Sequence, residues 1–387
     1  MEFSKRVGSF SESLFATLNE TKIKLQREGR TVYDLGVGTP DFETPDYIKE
    51  ALIEAAKDSD NWKYALRDLP ELLQAVCDYY EKRFQVDITP DMVTSCAGTQ
   101  EGMGIIGTVL CDEGDTVLLP TPCYPVFMAS AKMAEAEPFY YSLSKETNFL
   151  PDVKTIPEDV AKRAKYMIVS HPSNPTGSVA TPEVYKEVIA FAKKYDIVII
   201  HDNAYSDIIF DGNYGGSFFN YEGAMDVGVE FFSLSKLFNI TGARVSFLIG
   251  RIDVINAFKK VRRNIDFGMF LPIQKAAIAA LKGPTDGIKK QCMLYQERRD
   301  ALCGGLRSIG WDCPDSKGSM FVWAPIPKKY TSSMEFVMDL LMKSGVMCMP
   351  GVGFGPLGEG YVRMALVYPP DKIEEIIKAI KESGILD

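Results

Sequence analysis

Behind Thr44-Pro45-Asp46, the apolar residues Tyr47, Ile48, Ala51, Leu52 and Ala55 recur at the spacing of one helix face. A capping Thr followed by Pro is a helix start signal, so the spacing predicts a helix to about residue 57. Residues 70–84 repeat the signature with Leu72, Leu73, Val76, Tyr79 and Tyr80, and residues 100–111 are apolar all round, as a buried helix requires. Short apolar runs follow at 116–119, 166–169, 197–200, 230–233 and 245–249, separated by helix-like stretches such as 182–194. Runs that are apolar on successive residues suit strands buried on both faces. Strands alternating with helices imply an α/β fold with a mostly parallel central sheet, helices on both faces and a ligand site beyond the strands' carboxyl ends. Beyond Gly283-Pro284 an amphipathic pattern runs from 286 to 309. Strand-like pieces (320–323, 361–366) and helices (333–343, 371–382) follow it. The predicted organisation is an N-terminal arm over 1–44 that completes part of the small domain, a large domain over 45–285, and a smaller α+β domain over 286–387.

Length and composition narrow the function. The 387 residues are about two and a half times a common domain length of ~150. A content of 46% hydrophobic and 25% charged residues excludes a disordered or fibrous chain. With 43 basic against 52 acidic residues the net charge is −9, which repels phosphodiester backbones, so no nucleic-acid partner is expected. The eight cysteines are scattered, with no Cys-x-x-Cys pair, and are expected as reduced thiols in the cytoplasm. Only two histidines occur, and no Cys/His/carboxylate cluster shows ligand spacing, so no metal site is expected. The N-terminus, Met1-Glu2-Phe3-Ser4-Lys5-Arg6, leads into polar sequence, and no stretch approaches the ~18 apolar residues of a membrane span.

Four segments carry candidate chemistry. Phe231-Phe232-Ser233-Leu234-Ser235-Lys236 places a lysine directly after an apolar strand, where desolvation lowers its pKa and frees a neutral amine as nucleophile or base. Arg244 and the two serines add phosphate-type ligands; the bland alternative is a solvated loop lysine. Ile197-Val198-Ile199-Ile200-His201-Asp202-Asn203-Ala204-Tyr205 sets a carboxylate past an apolar strand, and a buried carboxylate needs a cationic partner such as a protonated ring nitrogen. In His171-Pro172-Ser173-Asn174-Pro175-Thr176-Gly177 the prolines and glycine present Asn174, unless it only forms an Asx turn. Cys96-Ala97-Gly98-Thr99-Gln100 is a small-residue turn opening a helix, where backbone N–H groups near Gly98 and Thr99 can hold a phosphate.

Taken in chain order, the four segments resemble the fold type I pyridoxal-phosphate enzymes, specifically the class I/II aminotransferases. Leu35-Gly36-Val37-Gly38-Thr39-Pro40-Asp41, the run from Asp202 to Gly212, and Gly360-Tyr361-Val362-Arg363-Met364-Ala365-Leu366 are similar to the LL-diaminopimelate and aspartate/alanine group. The resemblance implies that Lys236 forms the Schiff base with pyridoxal phosphate and then carries the proton, as nucleophile and base in turn. Asp202 would keep the pyridinium nitrogen protonated. Asn174 and Tyr205 would bond the phenolic oxygen, and Tyr124 would stack on the ring. Gly98, Thr99, Ser233, Ser235 and Arg244 would hold the phosphate. Arg363 would fork the substrate α-carboxylate rather than pair with Glu359 at the surface. Gly38, Gln100, Tyr124 and Asn174 would border the substrate, an amino acid or a 2-oxo acid. Tyr64 would reach the phosphate of a neighbouring subunit, which implies a homodimer.

Two departures bear on the substrate. Gln100 stands where the diaminopimelate and many aspartate enzymes carry a lysine, and Ala243 stands where a tryptophan is usual. Both suggest a changed pocket and count against a diaminopimelate donor; aspartate, alanine or an uncharged or aromatic amino acid is the expected one. A carbon–sulfur β-lyase on the same fold is the alternative, and a non-catalytic ligand sensor the remote one. Gly353-Phe354-Gly355-Pro356-Leu357-Gly358 fits G-x-G-x-x-G but precedes a strand and contains proline, so it is not a dinucleotide fingerprint. His171 and His201 are read as structural.

Overall fold

A computed structural model describes residues 3–10, 14–213 and 215–387. Met1 and Glu2 of the polar N-terminus lie outside them. Near the start, β1 (Tyr33–Asp34) crosses to the far end of the chain. Seven strands then build the main sheet: β2 (Val93–Cys96), β3 (Thr116–Thr121), β4 (Glu137–Ser142), β5 (Ala164–Ser170), β6 (Val198–Asn203), β7 (Gly228–Ser233) and β8 (Ser246–Gly250). Their order is β2-β8-β7-β6-β5-β3-β4. All neighbours are parallel except β8, which is antiparallel to both β7 and β2. Two antiparallel steps restore the direction, so the carboxyl ends of β2, β5, β6 and β7 share one edge.

The alternation of side chains along each strand sorts the core. Ile168, Ile200, Phe231 and Leu248 pack on one face against Ile106, Phe127 and Phe258. Met167, Val169 and Ile199 pack on the other against Val188 and Ala192, while Phe232 and Phe247 meet Tyr80 and Ala277. Helices therefore cover both faces, and the burial of whole strands explains their uninterrupted apolar text.

The smaller body contains β9 (Phe321–Pro325), β10 (Val346–Met347), β11 (Met349–Pro350) and β12 (Tyr361–Ala365). Strands β11-β12-β9 form an antiparallel sheet, and β10 pairs parallel to β1, with Tyr33 opposite Val346. Leu18, Leu25 and Leu35 share a core with Trp311, Phe336 and Ile376, so the N-terminal segment packs into this body. The long helix Asp286–Ser308 carries two buried arginines. Arg298 forks Asp41 at 2.6 and 2.8 Å, and Arg299 forks Asp211 at 2.6 and 2.8 Å. These pairs anchor the segments that lead from Gly38 and Tyr205, and thereby the rim of the site.

Candidate active site

Where the shared strand edge meets the smaller body, a cavity of about 360 Å³ is lined by Gly38, Thr99, Gln100, Tyr124, Asn174, Asp202, Tyr205, Ser233, Ser235, Lys236, Arg244 and Arg363. Thus twelve residues singled out in the sequence, from seven separate segments, border one space.

Lys236 sits in the single turn Leu234–Leu237 that follows β7, and its Nζ donates to Gly38 O at 2.6 Å. Burial, then the charges of Arg244 and Arg363, push its pKa down to about 8. Its neutral form is therefore available near physiological pH. Asp202 is the fifth residue of β6 rather than a residue past it, and it is buried. Ser170 Oγ donates to its Oδ2 at 3.3 Å, while its Oδ1 is buried without a partner. Burial pushes its pKa up to about 6, against a nearby His201 that lowers it.

Arg363 lies in the middle of β12, not at its start. It donates to Asn174 Oδ1 at 2.9 Å and to Gly36 O at 2.6 Å, and its Nε is buried without a partner. Glu359 instead accepts from the backbone N–H groups of Ser333 and Gly360, so it is no partner for the arginine. The rings of Phe321 and Phe354 lie 4.1 and 4.7 Å from the Arg363 guanidinium carbon. These two phenylalanines were not identified from the sequence, where nothing distinguishes them from core residues. Phe321 also explains Gly38, since a Cβ there would collide with the Phe321 ring.

Gly98 caps the helix Thr99–Leu110 with φ +83°, and a Cβ on it would strike the Arg244 guanidinium. Thr99 Oγ1 is buried without a partner at the same helix end. Ser233 Oγ accepts from Ser235 N at 3.2 Å, and Arg244 donates to Thr241 O at 3.0 Å. A helix N-terminus, three hydroxyls and a guanidinium form a cup for a phosphate dianion. Tyr124 OH donates to Gln100 Oε1 at 3.2 Å across the mouth. Tyr205 is buried, with its ring edge-on to Phe321.

Two residues fall outside this arrangement. Ala243 does not line the cavity; its turn faces Ile273 and Ala276, so its substitution does not reshape this chain's own pocket wall. Tyr64 is 79% exposed and packs on Phe267, away from the cavity of its own chain. Among the described residues no group of three metal-ligating side chains occurs, and no helix is long and apolar enough to cross a membrane.

Pyridoxal phosphate fits these residues. The unpartnered Asp202 Oδ1 suits a protonated ring nitrogen, the cup with its unpartnered Thr99 Oγ1 suits the phosphate, and Lys236 supplies the amine between them.

The pattern of the family Aminotransferase class I and II matches residues 30–380. The chain is 42% identical over 387 residues to an LL-diaminopimelate aminotransferase of Halothermothrix orenii, covering 100% of this chain and 99% of that one. It is 41% identical over 377 residues to the enzyme of the same name from Dehalococcoides mccartyi, covering 97% of each. Among solved structures, substrate-bound BacF from Bacillus subtilis superposes with a TM-score of 0.94 at 34% identity, covering 99% of this chain and 98% of that one. Cavity, sheet order and sequence thus converge: the chain belongs to the class I and II aminotransferases, pyridoxal-phosphate-dependent enzymes of fold type I.

Proposed function

We propose that this enzyme moves the amino group of LL-diaminopimelate to a 2-oxo acid, with Lys236 as nucleophile and proton carrier. The observation that carries the chemistry is the meeting of Lys236, the half-free Asp202 carboxylate and the buried Arg363 in one cavity. The donor rests on relatives of that name about 40% identical over nearly the whole chain. This reverses the inference drawn from Gln100, because one neutral side chain at the mouth outweighs neither that extent of likeness nor the contribution of other wall residues.

Each residue has a definite task in this reading. Arg363, set against the rings of Phe321 and Phe354 and braced by Asn174 and Gly36 O, binds the α-carboxylate with its orientation preset. The cup at Gly98, Thr99, Ser233, Ser235 and Arg244 holds the phosphate, and Asp202 holds the ring nitrogen. Asn174 and Tyr205 would bond the ring oxygen, and Tyr124 would cover the ring. Pyridoxal phosphate, when bound, supplies the electron sink that makes the substrate's Cα–H acidic. Lys236 Nζ, freed when the substrate amine takes its place, would accept the Cα proton and deliver it to the cofactor carbon C4′, on the other side of the amine nitrogen. Its depressed pKa, about 8, matches a base working near neutral pH.

Gln100 favours a second reading, an uncharged or aromatic donor, since its amide offers dipoles rather than a full charge. β-Elimination is not favoured by the family. We also propose that the working unit is a homodimer in which Tyr64 reaches the partner's phosphate cup, and that it resides in the cytoplasm. The eight free thiols support a reducing compartment.

The test is spectroscopic. LL-diaminopimelate, aspartate, alanine and phenylalanine are added singly to the cofactor-loaded enzyme, and conversion of its absorption to the pyridoxamine form is followed. Conversion by LL-diaminopimelate at the lowest concentration, reversed by 2-oxoglutarate, is expected. Preferential conversion by phenylalanine would install the second reading, and pyruvate release without pyridoxamine would install the lyase.

A further inference from the structure

Behind Asp202 the sheet carries a buried polar cluster that amino transfer leaves unassigned. His201 and Glu230 stand opposite each other on β6 and β7, and both are fully buried. His201 Nδ1 lies 2.8 Å from Glu230 Oε2, and its Nε2 lies 2.9 Å from Tyr185 OH. Glu230 also accepts from Tyr80 OH at 2.7 Å, Ser217 Oγ at 2.9 Å and Phe218 N at 2.7 Å. A backbone N–H, two hydroxyls and, when protonated at Nδ1, the imidazole thus converge on two oxygens. Oε2 receives a backbone N–H and the two hydroxyls at Oε1 are both placed to donate, an arrangement that suits an ionised Glu230.

An isolated carboxylate at zero exposure is costly, and a cation must balance it. His201 is the group in contact that can carry the positive charge. The other imidazole nearby, His171, is held neutral, its pKa pushed down to about 4 by burial. Tyr80, from the helix Pro70–Phe84, and Tyr185, from the helix Pro182–Tyr195, contribute only hydroxyls. Phe218 stacks on the imidazole with 5.5 Å between centroids and seals it from water. Asp202 is the next residue of β6, with its side chain on the opposite face.

We propose that His201, clamped by Glu230, is a positioning residue that places an imidazolium behind Asp202 and so keeps Asp202 ionised to grip the protonated ring nitrogen of the cofactor. The inference rests on the assignment of Asp202 to that nitrogen. It goes beyond that assignment by explaining how a carboxylate with one unpartnered buried oxygen retains its charge. Of the influences that lower the Asp202 pKa against burial, His201 is the largest, ahead of the Ser170 hydrogen bond.

The test uses His201→Asn, whose amide keeps a donor toward Glu230 and removes the charge. The apoprotein is titrated with two probes, pyridoxal phosphate and its analogue with CH in place of the ring nitrogen. The unsubstituted protein should bind pyridoxal phosphate more tightly than the analogue. Loss of the charge that lowers the Asp202 pKa means that His201→Asn should weaken pyridoxal phosphate several-fold and leave the analogue within about twofold. Equal losses for both probes, or no loss for either, overturn the role of His201. Equal affinity of the unsubstituted protein for the two probes removes the Asp202 assignment together with it. Tyr185→Phe, which frees the imidazole Nε2 without opening a cavity, should show the same selective loss in smaller measure. It decides the matter if His201→Asn does not fold.

Discussion

At Lys236 two guanidinium groups act in the same direction as burial, and together they bring the amine to about 8. The chemical consequence is a pH dependence. Uptake of pyridoxal phosphate by the apoprotein requires the neutral amine, so its rate should rise with pH through a midpoint near 8. An ordinary lysine would place that midpoint near 10.5. Arg363→Gln, which removes a positive charge, should move the midpoint upward; stopped-flow absorbance reads it, and a downward shift would contradict this account. At this scale the sequence was legible where chemistry left a motif: Lys236, Asp202, Asn174 and Arg363 all stand in the cavity. It was silent about Phe321 and Phe354, because a phenylalanine flanking a guanidinium and one filling a core follow the same hydrophobic pattern.

Among the elements, the helix Thr99–Leu110 depends most on a single residue. Gly98 combines φ +83° with contact to the Arg244 guanidinium, so a methyl group there faces both a strained backbone and a collision. Gly98→Ala should cost roughly 1–3 kcal/mol in strain. It should weaken pyridoxal phosphate at least about tenfold by displacing Arg244. Thermal unfolding and cofactor titration measure the two effects separately, and unchanged cofactor affinity would show that Arg244 does not serve the cup. The main-sheet strands β3, β5, β6, β7 and β8 and the helices Asp46–Lys57, Pro70–Phe84 and Pro182–Tyr195 were readable because their apolar periodicity is sustained. Missed were β2, whose text Val-Thr-Ser-Cys is half polar, and the helix Leu14–Arg27, in which Leu18 and Leu25 are buried among the polar residues Asn19, Glu20, Lys22 and Lys24. In both, partners elsewhere in the chain supply the burial that local sequence does not announce.

For the whole molecule, the segments around Trp62 and Phe267 form an uncovered apolar surface. Trp62 packs on Phe270 and Tyr64 on Phe267, each with centroids 5.1 Å apart, yet Trp62, Tyr64, Leu66 and Phe267 are all exposed. Surfaces of this kind mark contacts between chains. Sedimentation should therefore give a dimer, and Tyr64→Ala should lose cofactor affinity although Tyr64 lies outside its own chain's cavity. Mixing Tyr64→Ala with Lys236→Ala chains should restore activity, because the hybrid contains one site with both residues intact. A mixture no more active than either variant alone would contradict a shared site.

Local periodicity determined the class of fold, and the strand-ending motifs carried the family resemblance that implied the cofactor and the candidate residues for it, since both are written within a few consecutive positions. The tertiary structure decided what no short stretch can hold. It turned β8 antiparallel between β7 and β2, so that the helix opening at Gly98 arrives at the same edge as Lys236. It laid Phe321 from β9 and Phe354 from the turn before β12 against Arg363, and it paired His201 with Glu230 across two strands. Most of these contacts join residues that are dozens of positions apart or more, and their energy comes from shared burial, which appears only once the chain has folded.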